Sequence, residues 1–397
     1  MTTVPKTKRF LFIGFAHSAT DTRLFHFMAK AVRERYPTVE CLYLGRDSRI
    51  TSDATNRILT VIPMPNGIKA SKRRIRRHDL ERIATYIREL GIDLVQVSDA
   101  TELTLARKIK EISAIPVIYD SHEDYFNQSY EYSGKSLWGL VKGTRKRLRE
   151  ILFVRHMDAV FCTDDFLERL YKQPLFDARS VDMVRNIPPR RLIRKHAVYH
   201  DRDHLKLVYI GSVNAIRGII EVAQYCRRFN DESSESRHHT SLSFHVFSRH
   251  TNIIEKLVNA GTVIHHGFVP HAVIENRISD FDIGVSLIMP SKKFERNILI
   301  KNFEYMAMGI PILTSNYGTM KRYVSESDAG LTIDPMSYDA FKAAILKFRD
   351  VQFRKTCGEN GIRYATQHFH RDKEVVPYLE TVGRLLDLTP ALQGHIT

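Results

Sequence analysis

The chain has 397 residues, of which 43% are hydrophobic and 26% charged; this is the make-up of a globular protein and excludes a disordered or collagen-like one. That length exceeds one ordinary core and calls for two domains. A formal net charge of +15 points to a polyanionic partner: nucleic acid, an anionic membrane face or a phosphorylated substrate.

The N-terminal segment Met1-Thr2-Thr3-Val4-Pro5-Lys6 leads directly into a strand pattern, with no secretory signal and no apolar run of bilayer length anywhere. Arg9-Phe10-Leu11-Phe12-Ile13 reads as a buried strand ended by Gly14. The turn from Gly14 to Asp21-Thr22-Arg23 is either a plain strand-to-helix turn capped by Asp21 or a binding loop. A helix pattern over 23–35, strands over 39–44 and 60–62, a helix over 79–90 closed by Gly91, a strand over 94–97, a helix over 101–112 and a strand over 116–119 follow. Strands alternating with helices imply βαβ units and a parallel sheet.

After that strand comes Asp120-Ser121-His122-Glu123-Asp124, an unusual density of polar groups. His122 suits donation to a sugar hydroxyl or general-base work; a helix-capping cluster is the plainer alternative. Lys72-Arg73-Arg74-Ile75-Arg76-Arg77 and the stretch 137–152 are strongly basic. In the second stretch Leu137, Val141, Leu148, Ile151 and Leu152 share one helical face, and Trp138 is the only tryptophan. This is a membrane-surface pattern, or an ordinary helix packing on its own domain.

Another strand is expected over 158–162. The pattern breaks at Val184-Arg185-Asn186-Ile187-Pro188-Pro189. We therefore place one domain at 1–190, a linker at 191–204, a second domain at 205–372, and a C-terminal helix at 373–397 that crosses back to the first domain. In the second domain the strand 205–210 ends at Gly211, and Gly211-Ser212-Val213-Asn214-Ala215-Ile216-Arg217-Gly218 brings Arg217 to the start of a helix expected over 217–228. A guanidinium at a helix start suits a diphosphate clamp; a solvated surface Arg is the plainer alternative. Residues 230–241 read as a polar loop, and strands are expected over 243–247, 263–265, 283–287 and 312–314. Lys301-Asn302-Phe303-Glu304 opens a short helix stopped by Gly309; this either places a cation and a carboxylate where phosphate and sugar hydroxyls bind, or is an ordinary αβ unit with an exposed Glu. Helices are expected over 338–349, 351–368 and 373–387. Asp280-Phe281-Asp282 does not read as a metal site, since its side chains diverge at a strand start. Cys41, Cys162, Cys226 and Cys357 lack CxxC spacing, which argues against disulfides and zinc and fits a reducing cytoplasm.

Taken together, these residues resemble the retaining GT-B-fold glycosyltransferases of the glycosyl transferase group 1 (family 4) type. Tyr209-Ile210-Gly211 to Arg217-Gly218 is similar to the element that binds the donor diphosphate, and His266-Gly267-Phe268-Val269 to the segment beside the nucleobase. Asp282-Ile283-Gly284-Val285 to Pro290-Ser291 and Glu304-Tyr305-Met306-Ala307-Met308-Gly309-Ile310-Pro311 resemble two further signatures. Asp21-Thr22-Arg23, Asp120-Ser121-His122-Glu123 and Asn186-Ile187-Pro188 resemble first-domain elements. Two positions depart: Ser212 stands where many members have Arg, and Arg296 where many have Glu.

The resemblance implies an α/β fold of two doubly wound Rossmann-like domains facing a cleft. It implies sugar transfer from a nucleotide-sugar donor, its base unknown, to a lipid-linked or polysaccharide acceptor, with retention and without metal or other cofactor. His122, Glu304 and Arg217 are the catalytic candidates. Gly14, Gly211, Ser212, Arg217, Gly267, Val269, Ile298, Leu299, Lys301 and Glu304 are the donor-binding candidates. An anionic membrane surface is an expected partner of 69–77 and 137–152, nucleic acid is not, and the expected location is the cytoplasm or its membrane face. The competing readings are a GT-B-fold nucleotide-sugar epimerase and a non-catalytic basic protein that binds membrane or nucleic acid.

Overall fold

Phe10, Leu11, Phe12 and Ile13 are all fully buried, because their strand is central and both its faces are covered. In the computed structural model, which describes residues 7–15, 19, 21, 23–45, 58–65, 68, 77–234, 240–269 and 271–388, this strand lies inside the first of two sheets. The basic residues 69–76 and the pair His238-His239 lie outside the described residues.

The chain divides into two units, residues 1–186 with 372–397, and residues 187–371. The first holds β1 (Lys8–Gly14), β2 (Val39–Gly45), β3 (Thr60–Val61), β4 (Leu94–Val97), β5 (Val117–Ser121), β6 (Ala159–Cys162) and β7 (Val181–Met183). They form one parallel sheet in the order β3-β2-β1-β4-β5-β6-β7. The side-chain period of two sends Leu11 and Ile13 into one core and Phe10 and Phe12 into the other. The second core also takes Tyr378, Val382 and Leu386, so the helix Val376–Leu385 packs on the first sheet. Tyr378 seals it with a 2.7 Å hydrogen bond from its hydroxyl to Gln96.

The second unit holds β8 (His204–Ile210), β9 (Ser241–Phe247), β10 (Ile264–His265), β11 (Ile283–Ser286), β12 (Ile312–Ser315) and β13 (Gly330–Ile333). Their order is β10-β9-β8-β11-β12-β13, again all parallel. Both sheets are therefore doubly wound, with one reversal of strand order each.

Several elements differ from the sequence expectation. The strand expected to end at Tyr119 runs on to Ser121, because Asp120 and Ser121 pair with Phe161 and Cys162. Residues 230–234 are helical rather than loop, since the helix Ile219–Ser234 continues that far and Asn230 ties it to Leu242. The helix expected over 23–35 begins as a π-helix, Leu24–Ala29, before turning α over Lys30–Arg35.

Candidate active site

In doubly wound sheets, ligands sit beyond the carboxyl ends of the strands where the order reverses. In the second unit that point lies between β8 and β11. Gly211 leaves β8 with φ of +134°, a conformation that favours glycine. A Cβ there would stand 3.3 Å from Lys301 Nζ, so the missing side chain gives the lysine room at the turn. The Tyr209 hydroxyl donates to the Ser212 carbonyl at 2.7 Å and closes the turn; the Ser212 residue is exposed. Asn214 then caps a 3-10 turn, Ala215–Arg217.

The helix expected over 217–228 does not begin at Arg217. Gly218 interrupts it at φ +66°, and the α-helix starts at Ile219. A Cβ at Gly218 would overlap the Leu287 carbonyl, so the chain must turn in this way to pass the end of β11. Arg217 therefore sits on the short turn, with its guanidinium 4.4 Å over the Phe294 ring.

Lys301 is the second residue of the helix Ile300–Met308, whose N-cap residue Leu299 offers no side-chain acceptor. The first N–H groups of this helix thus lack a side-chain cap. Asn302, fully buried on the same turn, anchors the helix to β11 through Ser286 and to β12 through Thr314. Tyr305 adds a hydrogen bond to the Val208 carbonyl. This fixes Lys301 with its Nζ 3.6 Å above the Tyr209 ring. Among the described residues, neither Lys301 Nζ nor the buried Arg217 Nε has a hydrogen-bond partner. Burial first, and then Arg217, push the Lys301 amine well below its ordinary range, against the opposing pull of Glu304. Glu304 lies one turn along, half-buried. Two under-compensated cations, an uncapped helix start and a glycine turn converge on one spot, which is the chemistry that receives a diphosphate.

Gly267, at φ +74°, follows β10, and its carbonyl accepts the Ser248 N–H. Val269 and Ile298 pack half-buried on the same core as Leu299. The sequence reading missed what surrounds them: His266 stacks on Phe247 at 4.4 Å and pairs with His245 Nδ1 at 2.9 Å. Burial, and then His266, lower His245 to about 4. No spacing rule would have found this pair, because β9 and β10 bring it together from 21 residues apart.

In the first unit, β5 ends beside His122. His122 Nε2 lies 2.6 Å from Asp120 Oδ2, and Arg23 holds both oxygens of that carboxylate, donating from Nε to Oδ2 and from Nη2 to Oδ1. Arg23 also donates to the Val184 carbonyl and to Asn186. Burial alone would raise the Asp120 carboxyl; Arg23 and His122 outweigh it and hold it well below the usual carboxylate range. Of the cluster's two readings, Asp124 takes the capping role, accepting the Asn127 N–H, while Asp120 orients His122. Gly14 ends β1 and accepts the Tyr43 hydroxyl at 2.6 Å. Glu102, unremarked in the sequence, accepts the N–H groups of Phe15, Ser98 and Asp99 and ties the β1 and β4 loops together.

The helix Leu137–Phe153 departs from the packing expected of its apolar face. It buries Gly139, Gly143 and Glu150 instead, because the two glycines let it approach the helix Tyr125–Tyr132 closely. Leu137, Leu148, Leu152 and Trp138 are left exposed.

Residues 204–350 match the family model described as Glycosyl transferases group 1. No curated protein matches the sequence. Among solved structures, the chain is similar to a sucrose-phosphate synthase from Thermosynechococcus elongatus, at 13% identity and a TM-score of 0.69 over 96% of this chain and 99% of that one. It is similar to HepE of Anabaena, solved with UDP and glucose, at 13% identity and 0.66 over 95% and 100%. It is also similar to a UDP-forming α,α-trehalose-phosphate synthase from Burkholderia vietnamiensis, at 13% identity and 0.61 over 96% and 100%. At such identities the likeness shows the fold.

Proposed function

We propose that this chain, a GT-B-fold glycosyltransferase carrying a glycosyl transferases group 1 domain, moves a sugar from a nucleotide-sugar donor to a lipid-linked or polysaccharide acceptor, with retention and without a metal. The observation that carries the reading is the pair of unpartnered cationic nitrogens, Lys301 Nζ and Arg217 Nε, at the uncapped start of the helix Ile300–Met308.

As the glycosidic bond to phosphate breaks, negative charge builds on the departing diphosphate. Arg217, Lys301 and the helix N–H groups are already in place to meet it, so little reorganisation is needed at the moment of reaction. Lys301 takes over the work of the cation that Ser212 does not supply. Glu304 accepts from donor hydroxyls, and Gly267, Val269, Ile298 and Leu299 border the base. His122 is assigned to the hydroxyls of the transferred sugar, its ring fixed by Asp120. The UDP of HepE and the UDP-forming neighbour make a uridine nucleotide the first donor to try.

The same reading places the chain at an anionic membrane face. The supporting observation is the solvent-exposed row Leu137, Leu148 and Leu152 flanked by cations, the profile of an interfacial helix. The epimerase alternative would call for paired acid and base carboxylates, and Asp120 is already committed to Arg23 and His122.

Thermal-shift binding with UDP, GDP, ADP and their glucose conjugates tests the donor site. A nucleotide at a hundred times its dissociation constant should add about 2.7 kcal/mol of stability. Stabilisation of the wild type, lost in Arg217→Ala, is the expected result. Stabilisation by none of the panel, or equal stabilisation of the variant, would remove the donor site from this place.

A further inference from the structure

Beside the helix Leu137–Phe153 lies a hollow of about 720 Å³, lined by Thr101, Gln128, Ser129, Tyr132, Ser133, Trp138 and four cations. The cations are Lys142, Arg145, Lys146 and Arg149, and no acidic residue is among the lining residues. They come from one helix at spacings that bring them to a common side, while Gln128, Ser129, Tyr132 and Ser133 come from the facing helix Tyr125–Tyr132 and its end. The volume is within the range of small-molecule sites, about 300–1,000 Å³.

Each part of the lining selects a feature of the ligand. Trp138 and Tyr132 are more than half exposed, 58% and 53%, and so offer ring faces to an occupant. The C–H face of a pyranose packs on such a ring. Hydroxyls and an amide from Thr101, Gln128, Ser129 and Ser133 match sugar hydroxyls. The cations match carboxylate, phosphate or sulfate groups, with the arginines able to bind them in a two-pronged way. Lys142 Nζ lies 5.1 Å over the Trp138 ring and Lys146 Nζ 5.0 Å over Tyr125, so both ammonium groups are held at the hollow's edge by aromatic faces. Thr101 stands just after β4, which puts the hollow at the carboxyl edge of the first sheet, the edge from which His122 also projects.

We propose that this groove is a binding site for an acidic saccharide, one carrying uronate, phosphate or sulfate groups, and that the acceptor of the transferase is therefore anionic. The second half of this statement rests on the function proposed above; the groove's affinity does not.

Trp138 is the sole tryptophan of the chain, so its emission reports this groove and nothing else. The probes are an oligogalacturonate, a neutral maltooligosaccharide of equal length, and vesicles of phosphatidylcholine with phosphatidylglycerol, each titrated against the full chain. The proposal expects saturable quenching by the acidic oligosaccharide in the absence of lipid. It expects at least tenfold weaker response to the neutral one, and a tenfold loss of affinity in Lys142→Ala/Lys146→Ala. A control with two cations removed elsewhere, Lys355→Ala/Arg363→Ala, should bind like the wild type. No quenching by the acidic oligosaccharide, with or without a response to vesicles, equal quenching by the neutral sugar, or equal loss in the control would each overturn the proposal. Nucleotide binding, measured separately in the same double variant, should be unchanged, which keeps a failed groove distinct from a failed donor site.

Discussion

At the scale of single residues, the two candidate sites use charge in opposite ways. Asp120 and Arg23 are both almost wholly buried and satisfy each other. Removing one partner leaves the other as an uncompensated buried charge, so Asp120→Ala should cost about 3–5 kcal/mol in chemical denaturation. His122→Ala should leave that stability within about 1 kcal/mol and lower turnover, so the two variants separate orientation from contact. Lys301 is the reverse case: burial leaves its Nζ with no partner among the described residues. Lys301→Met should therefore raise the melting temperature, by an amount equivalent to about 1–3 kcal/mol, while weakening nucleotide binding at least tenfold. The pH dependence has a definite sign. The folded-state amine loses its proton below the pH at which the unfolded chain does, near the ordinary value of 10.5. Over that interval the unfolded state holds more protons, so stability rises with pH, and the rise should vanish in Lys301→Met. Gly218→Ala combines a left-handed φ with overlap on the Leu287 carbonyl and should cost more than about 2 kcal/mol. Arg217 and Lys301 were legible as cations near a helix start. The buried state of Lys301 was not, since it depends on Tyr209, 92 residues away, lying under the amine.

At the scale of elements, strands were easier to find than the helices that follow them. A central parallel strand needs a near-continuous apolar run; β1, β2 and β8 show one, and β4 is broken only by Gln96. The helix Asp165–Tyr171 and the edge strand β7 were passed over because both are short and mixed in polarity. The helix Leu137–Phe153 shows why an apolar face is no guide to its own direction. Periodicity identified the stripe, but Gly139 and Gly143 decided which side packs, since only a side without bulk could lie on the carbonyls of Phe126 and Ser129. Leu148→Ser with Leu152→Ser should thus leave the unfolding midpoint within about 1 kcal/mol of wild type, against 2–5 kcal/mol expected for a truncated core leucine. On the membrane reading, the same variant should co-sediment less with anionic vesicles.

At the scale of the whole molecule, the segment 372–397 belongs with the first unit although it follows the second in sequence. Deleting residues 376–397 would remove Tyr378, Val382 and Leu386 from the first unit's core, bare the face of Phe161 that Tyr378 covers, and deprive Gln96 of the Tyr378 hydroxyl. Such a truncation should lower the first unfolding transition by several kcal/mol, or yield a chain that exposes apolar surface to a hydrophobic dye. The fold class follows from the residues alone, because near-continuous apolar strands that alternate with helices form covered parallel sheets. The glycines at element ends are equally local in origin: Gly211, Gly218 and Gly309 meet backbone angles that other residues resist. Tertiary structure alone decided which charges are paired and which are left waiting. Pairing depends on distances between strand ends far apart in the chain, and on burial, neither of which has a local signature. Asp120 and Lys301 both read in the sequence as reactive polar groups at element ends. Folding gave the first Arg23, His122 and Gln96 as partners, and left the second, among the described residues, with the face of a tyrosine ring and no hydrogen bond.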